Sequence, residues 1–254
     1  MGSGRKAGAH GKRVMMTSFK FYNYTTLDST NNKARELTKK GEHDIIVISE
    51  RQTKGKGRFN RKWLSEPGGL YMTIAIKIKD IDKIKYLTFI ASLSVSKTIR
   101  KLAKLNAMVK WPNDVLIGNK KICGILTEII SGRENYALIG IGANINQKKF
   151  PGSIYNKTTS LKLKTNKRYN IKKISESIIK EFSRLYSHYN KKNYKKITDE
   201  WKRYSHTLGK KIMVKTTNKT YIGNAAGIDE DCSLLLKLNN GRIKRIIEGD
   251  IFTV

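Results

Sequence analysis

Residues 108–146 read MVKWPNDVLIGNKKICGILTEIISGRENYALIGIGANIN. Four runs within them, residues 108–111, 115–117, 121–130 and 136–144, have the apolar and β-branched content of strands. Only three short connections separate them: Pro112-Asn113-Asp114, residues 118–120 with the Gly118-Asn119 turn, and residues 131–135 with the Gly132-Arg133-Glu134-Asn135 turn. A parallel pair needs a crossover of roughly a dozen residues or more, so these strands form an antiparallel meander. The glycines of Ile139-Gly140-Ile141-Gly142-Ala143-Asn144 mimic part of a dinucleotide fingerprint. No helix opens after them and the third glycine is missing, which excludes a Rossmann unit. No GxxxxGK[ST] run occurs, which excludes a P-loop.

Outward from the meander, residues 19–24 and 44–49 read as short strands and residues 70–78 as a longer one. In the last, Leu70, Met72, Ile74, Ile76 and Ile78 share one face. A short helix is expected over 32–40, stopped by Gly41, and Asp28, Ser29, Thr30 and Asn31 are all candidates to cap it. Ile84, Leu87, Ala91, Val95, Ile99 and Leu102 recur at helical spacing and predict the main amphipathic helix over 83–104. Further helices are expected over 170–190 and 194–208, with Gly209 ending the second. After Gly209 come short strands at 211–215, 220–227, 234–238, 243–247 and 251–254, with a type I′ hairpin signal at Asn240-Gly241. These suggest a small C-terminal barrel, residues 209–254. Residues 15–208 form the larger domain, and residues 1–14 read as an added leader, with the native start near Met15 or Met16.

The chain has 254 residues and a formal net charge of +32, with 39% hydrophobic residues. That supports a sizeable core and attraction to polyanions. The lysines are spread through every expected element instead of clustering beside exposed aromatics, so most of the charge reads as surface. Cys123 and Cys232 form no CxxC pair and neither lies near a histidine, so no zinc spacing is present. A reduced, cytoplasmic protein fits, without a membrane-length apolar run or a signal peptide.

Residues 50–63, ERQTKGKGRFNRKW, carry six cations (Arg51, Lys54, Lys56, Arg58, Arg61, Lys62) around Gly55 and Gly57. Such charges repel when packed, so the loop is costly to order when empty, and a phosphate or carboxylate would relieve the repulsion. The alternative is a solvated basic loop. Three further places set polar residues where a plain sheet would not want them. Lys110-Trp111-Pro112-Asn113-Asp114 sits at a strand end, with a simple ion pair as the alternative. In 121–128, alternation puts Lys121, Cys123, Ile125 and Thr127 on one face. Gly124 there marks a bulge or a close backbone approach; a sheet edge guarded by lysine is the alternative. The third place is residues 139–146, whose glycines need a different explanation.

In this order, Ser29-Thr30-Asn31, Gln52 with GKGRFNRKW, SEPGGLY, KWPND, KICGIL and GIGANIN resemble the biotin–protein ligase family, over residues 19–254. The resemblance implies an α/β catalytic domain with a mixed, mostly antiparallel sheet flanked by helices, as in class II aminoacyl-tRNA synthetases. It also implies a small C-terminal SH3-like barrel. The implied reaction has two steps. Biotin and ATP with Mg²⁺ give biotinyl-5′-AMP, and a lysine of a biotin carboxyl carrier domain then takes the biotinyl group.

By the same resemblance, Arg58 and Lys121 hold the biotin carboxylate and the α-phosphate. Lys56, with Gly55 and Gly57, adds charge and backbone amides. Ser29, Thr30, Asn31 and Gln52 bond the ureido ring, and Gly124, Leu126, Gly140 and Gly142 line the rings and tail. Trp63 covers the valeryl chain or adenine, Asn144 reads adenine, and Lys110 joins the nucleotide set. Asp114, with Asn113, helps place magnesium or the attacking amine; no protein cluster of metal ligands is expected.

The family loop is often GRGRRGR, so Lys56 stands in place of an arginine and Asn60 in place of a glycine. No N-terminal helix-turn-helix is expected, and hence no specific DNA binding. A homodimer is expected, and an acidic carrier domain would be drawn to the net charge. The competing expectations are a lipoate–protein ligase, a nucleic-acid-binding protein and an inactive scaffold.

Overall fold

The computed structural model describes residues 19–253; the expected leader and Val254 lie outside them. The elements, in chain order, are β1 (Lys20–Leu27), α1 (Thr30–Lys39), β2 (Ile45–Gln52), β3 (Leu70–Ile78), α2 (Ile84–Ala103) and β4 (Ala107–Lys110). They continue with β5 (Asp114–Ile117), β6 (Lys120–Ile130), β7 (Asn135–Ala143), α3 (Gly152–Tyr155), α4 (Leu161–Thr165), α5 (Ile171–Asn190) and α6 (Tyr194–Arg203). One sheet runs β1-β2-β3-β7-β6-β5-β4. β1 and β2 are parallel, joined by α1 as the crossover, and the other neighbours are antiparallel. The sheet is mixed and mostly antiparallel, as the short connections required.

Strand alternation gives this sheet two different faces. Ile46, Met72, Ile74, Ile139, Ile141, Cys123 and Ile125 point one way and join the main core with Leu87, Leu93, Ile178, Phe182 and Trp201. Phe89 and Trp201 stack there at 4.4 Å between centroids. Each such side chain contributes about 1.5–3 kcal/mol on full burial. On the opposite face, Ile45, Val47, Ala75 and Leu138 form a small cluster under Ala34 of α1. The next rows on that face are Thr73, Gly140 and Leu126, then Tyr71, Gly142, Gly124 and Asp114. The first turn of α1 lies over Thr73 and Gly140, and beyond it Gly142 and Gly124 leave room above the sheet.

Several expected boundaries shift for tertiary reasons. β2 continues three residues beyond Ser49 and brings Gln52 to the strand end. α1 begins at Thr30, two residues early, with Ser29 in the N-cap position but its hydroxyl making no cap bond. The last helix stops at Arg203 because Tyr204 O accepts from Val109 N at 2.9 Å, drawing residues 204–206 along the edge strand β4.

The remaining chain forms β8 (Lys211–Lys215), β9 (Thr220–Ile228), β10 (Leu234–Leu238), β11 (Ile243–Ile246) and β12 (Asp250–Thr253). They make a five-stranded antiparallel sheet, β11-β10-β9-β8-β12. The Asn240-Gly241 turn is not type I′. Among its central residues only Gly241 has positive φ (+81°), and Gly241 N donates to Leu238 O at 2.9 Å. The loop has one residue more than a two-residue hairpin, because Asn239 also leaves the ladder.

Candidate active site

The basic loop folds into a small hairpin. Lys56 bridges Lys62, Gly57 N donates to Arg61 O at 2.7 Å and Trp63 N donates to Gly55 O at 2.9 Å. At its tip Phe59 (φ +54°) and Asn60 (φ +57°) are left-handed, a conformation that glycine adopts freely and asparagine tolerates. The expected repulsion among the cations is relieved in part by the surrounding protein. Arg61 pairs with Asp250 of β12, Arg51 lies 3.7 Å from Glu66, and Lys56 Nζ donates to Asn32 Oδ1 at 3.2 Å. The Arg58 guanidinium lies 4.7 Å over the Phe59 ring and donates to Asn113 Oδ1 (3.3 Å) and Gly249 O (3.4 Å). Burial lowers the Arg58 pKa, against the opposing pull of Asp250, Asp114 and Glu248.

Beneath this flap is a cavity of about 470 Å³, within the range of small-molecule sites. One end is a polar clamp. Thr30 N donates to Gln52 Oε1 at 2.8 Å, and Gln52 Nε2 donates to Ser65 Oγ at 2.8 Å, leaving one Gln52 N–H free. Asn31 Nδ2 donates to Glu128 Oε2 at 2.6 Å. Ser29, Thr30 and Asn31 are all buried. The middle of the floor is glycine. A Cβ on Gly142 would lie 2.5 Å from the Trp63 indole nitrogen, and one on Gly140 2.5 Å from Asn31 Oδ1.

The other end is charged. Lys121 Nζ lies 2.6 Å from Asp114 Oδ1 and 5.3 Å over the Trp63 ring. Simple alternation put Lys121 on the face of Cys123 and Ile125; that is corrected here. β6 bulges opposite Val115 and Leu116, so Leu116 pairs with Lys121 while Val115 pairs with Cys123. The extra residue, Ile122, flips the phase, and Lys121 joins Gly124 and Leu126 at the cavity. Both thiols are buried, which pushes their pKa values up and leaves them poor nucleophiles.

The cavity wall brings together Ser29, Thr30, Asn31, Gln52, Lys56, Gly57, Arg58, Trp63, Asn113, Asp114, Lys121, Gly124, Leu126, Gly140, Gly142 and Asn144. Two expected site residues stand outside it. A Cβ on Gly55 would meet Ser65 Oγ and Trp63 O at 2.5 Å, so this glycine lets the flap close on the Gln52–Ser65 pair. Lys110 donates to Ile251 O at 2.7 Å and ties the two sheets together; burial lowers its pKa.

Sequence reasoning missed the wall formed by Phe150, Pro151, Ser153, Ile154 and Thr158. That segment is held by Lys121 N donating to Lys157 O at 2.8 Å and Thr159 N donating to Lys121 O at 2.9 Å. Phe150-Pro151-Gly152, straight after the glycine strand, was its available signal. Asp250 was missed as well, since no local pattern links residue 250 to residue 61. Among the described residues no group of three or more His, Cys, Asp or Glu is placed to hold a metal. Asp114 and Asp250 are the carboxylates on the wall.

Residues 22–146 match the model of the biotin/lipoate A/B protein ligase family, and residues 207–254 match that of the biotin protein ligase C-terminal domain. The bifunctional ligase/repressor BirA of Bacillus subtilis (strain 168) is 33% identical over 235 residues, covering 90% of this chain and 72% of the relative. Biotin--[acetyl-CoA-carboxylase] ligase of Paracoccus denitrificans is 25% identical over 223 residues, with 85% and 93% covered. Among solved structures, biotin protein ligase from Aquifex aeolicus in complex with biotin and ATP aligns with a TM-score of 0.83 and 28% identity. That alignment covers 92% of this chain and 97% of that one.

Proposed function

The chain belongs to the biotin/lipoate A/B protein ligase family, and we infer that it is an ATP-dependent biotin–protein ligase. One observation carries the site assignment: a single cavity joins a polar clamp, a glycine floor and two cations, Arg58 and Lys121. The clamp suits the ureido head of biotin. Gln52 has an N–H left for its carbonyl, and Ser29 and Thr30 offer oxygens to its N–H groups. The glycines leave room for the rings, and the valeryl tail would run under Trp63 toward the cations.

The first step joins two anions. A biotin carboxylate oxygen forms a bond to the α-phosphorus of ATP, the α–β phosphoanhydride bond breaks, and pyrophosphate leaves. Cations beside both oxygens stabilise the charge that gathers there. Arg58 suits this role by its bidentate geometry, and Lys121 as a point charge facing it. In the second step a lysine ε-amine attacks the acyl carbon, a C–N bond forms, the acyl–phosphate bond breaks, and AMP leaves. Asp114 lies beside Lys121 and would hold or orient the amine proton. A flap closed over the mixed anhydride shields it from water.

Magnesium would come with the nucleotide, whose phosphates supply ligands, and the carboxylates of Asp114 and Asp250 are the available protein donors. Bound there, the ion would neutralise phosphate charge. We read the acceptor as the biotin carboxyl carrier domain of a carboxylase, and the chain as cytoplasmic, dimeric and without specific DNA binding. Two buried free cysteines favour a reducing compartment. Among the described residues no helix is long and apolar enough to cross a membrane. β1 is the sheet edge that a second copy would meet, and sedimentation tests that pairing.

The deciding experiment incubates the protein with ATP and either biotin or lipoate, then measures the mass of the bound ligand. Biotinyl-AMP alone is expected. Lipoyl-AMP without biotinyl-AMP would move the chain to the other branch of the family.

A further inference from the structure

Behind the clamp runs a line of hydrogen bonds whose direction is fixed at one end. The Glu128 carboxylate on β6 accepts from Asn31 Nδ2 at 2.6 Å and is paired with Arg35 at 3.2 Å. Thr73 Oγ1, fully buried, stands 2.6 Å from Asn31 Oδ1 and 2.8 Å from Thr30 Oγ1. A carboxylate only accepts, so the Asn31 amide must turn its NH₂ group to Glu128 and its oxygen to Thr73. That oxygen also only accepts, so Thr73 gives its single proton to Asn31. Thr30 Oγ1 has two acceptors for its single proton, Thr73 Oγ1 at 2.8 Å and Gln52 Oε1 at 3.1 Å, and spends it on one of them. From Thr73 through Asn31 every proton points toward Glu128. Thr30 Oγ1 and the second lone pair of Asn31 Oδ1 are left as acceptors, and both residues line the cavity.

We propose that Glu128 is a positioning residue that sets the hydrogen-bond polarity of the cavity floor, so that the floor selects a bound head that donates N–H groups. The proposal rests on the reading of the cavity as a biotin site. A cyclic urea carries an N–H on each side of its carbonyl, and a dithiolane carries none.

The alternative is that Glu128 merely fastens α1 to β6. A double-mutant cycle separates the two. Glu128→Gln keeps the shape but lets the Asn31 amide turn round, and Thr73→Val cuts the line in the middle. By calorimetry each is expected to weaken biotin binding about tenfold, with KM for ATP within twofold of wild type. The double variant should be no weaker than the worse single one, because a line cut once has no direction left to lose. Thr73→Ser, which keeps the hydroxyl, should bind like the wild type. If Glu128→Gln does not fold, the contrast between Thr73→Val and Thr73→Ser carries the same test. A lower melting temperature with biotin affinity within twofold of wild type would overturn the proposal, as would losses that multiply in the double variant. A wild type that binds no biotin would overturn both the site reading and the proposal. Equal binding by the wild type and Glu128→Gln would overturn the proposal alone.

Discussion

Gly140→Ala tests whether the floor is glycine for want of room. Gly140 lies outside the left-handed region, so its backbone would accept alanine. The obstacle is Asn31, whose Oδ1 would sit 2.5 Å from the new methyl and whose Cγ and Nδ2 would sit at 3.2 Å. Asn31 must retreat by roughly an ångström to reach ordinary contact, yet both ends of its amide are held at 2.6 Å, by Glu128 and by Thr73. Losing the bond to the carboxylate costs about 1.5–3 kcal/mol and the one to the hydroxyl about 0.5–1.5 kcal/mol. The better strand propensity of alanine offsets about 0.5–1 kcal/mol. The net is about 2–3 kcal/mol, a melting temperature lower by roughly 5–10 °C for a chain of this size, with biotin binding lost. Gly124→Ala is the control. Its methyl would meet the end of the Lys121 side chain and the Trp63 ring at 3.1 Å, contacts relieved by shifts of a few tenths of an ångström at about 1 kcal/mol, the low end of overpacking. Thermal melts on both variants, repeated in an Asn31→Ala background, decide the matter. The Gly140→Ala penalty should vanish when Asn31 is absent; an equal penalty in both backgrounds would refute the reasoning.

Arg58→Ala should cut adenylate formation about 10²–10³-fold, measured by pyrophosphate release. Its melting temperature should stay within a few degrees of wild type, because the contacts of Arg58 are long and partly exposed; wild-type turnover would remove Arg58 from the site. Asp250→Asn should cost only about 0.2–1 kcal/mol, since Arg61 and Asp250 side chains remain 61% and 25% exposed, but proteases should cut the empty flap over residues 54–66 faster. Burial pushes the Asp250 carboxyl up, while the Arg61 hydrogen bond and the charges of Arg61, Arg58 and Lys121 more than offset it, so the net shift is down. The ionised form is thus favoured by folding. Its contribution is whole above about pH 4 and is lost as pH falls through the lowered value, so wild type and Asp250→Asn should converge in acid melts. Burial, with Lys210 and Lys110, lowers the His206 pKa. Stability held by the neutral ring is whole above about pH 6.5 and declines below it, a decline that His206→Gln should lack.

The parts of this molecule that follow local rules were legible in the chain. Hairpin-length connections imposed the antiparallel meander, and helical spacing located α2 and α5 to within one residue. The glycine at 124 was readable as a bulge or a close backbone approach, and only the family resemblance gave 124, 140 and 142 as room for a ligand. Lys121 was placed on the wrong face, because alternation assumes a regular ladder and the bulge at Ile122 leaves no mark in the sequence. Asp250, Glu128 and the wall from Phe150 to Thr158 were missed for a different reason. Each acts on residues between 36 and 189 positions away, and only the folded sheet brings them there.

The flap shows why those distant contacts matter to the chemistry. A loop with six cations should resist closing over an empty cavity, and a ligand anion alone would have to compensate. Here part of the compensation is supplied by the second sheet: Asp250 takes Arg61, and Gly249 O takes one Arg58 N–H. Arg58 makes that contact and the one to Asn113 at long range, 3.4 and 3.3 Å. It is therefore held at the cavity without a carboxylate that would satisfy it. Arg61 is neutralised and Arg58 is left wanting an anion. That asymmetry aims the charge of the flap at the position where a phosphate would sit, and it comes from β12 rather than from the flap sequence. The C-terminal sheet thus contributes Asp250 to the cavity wall, and substitutions at Asp250 should alter adenylate retention before they alter the fold.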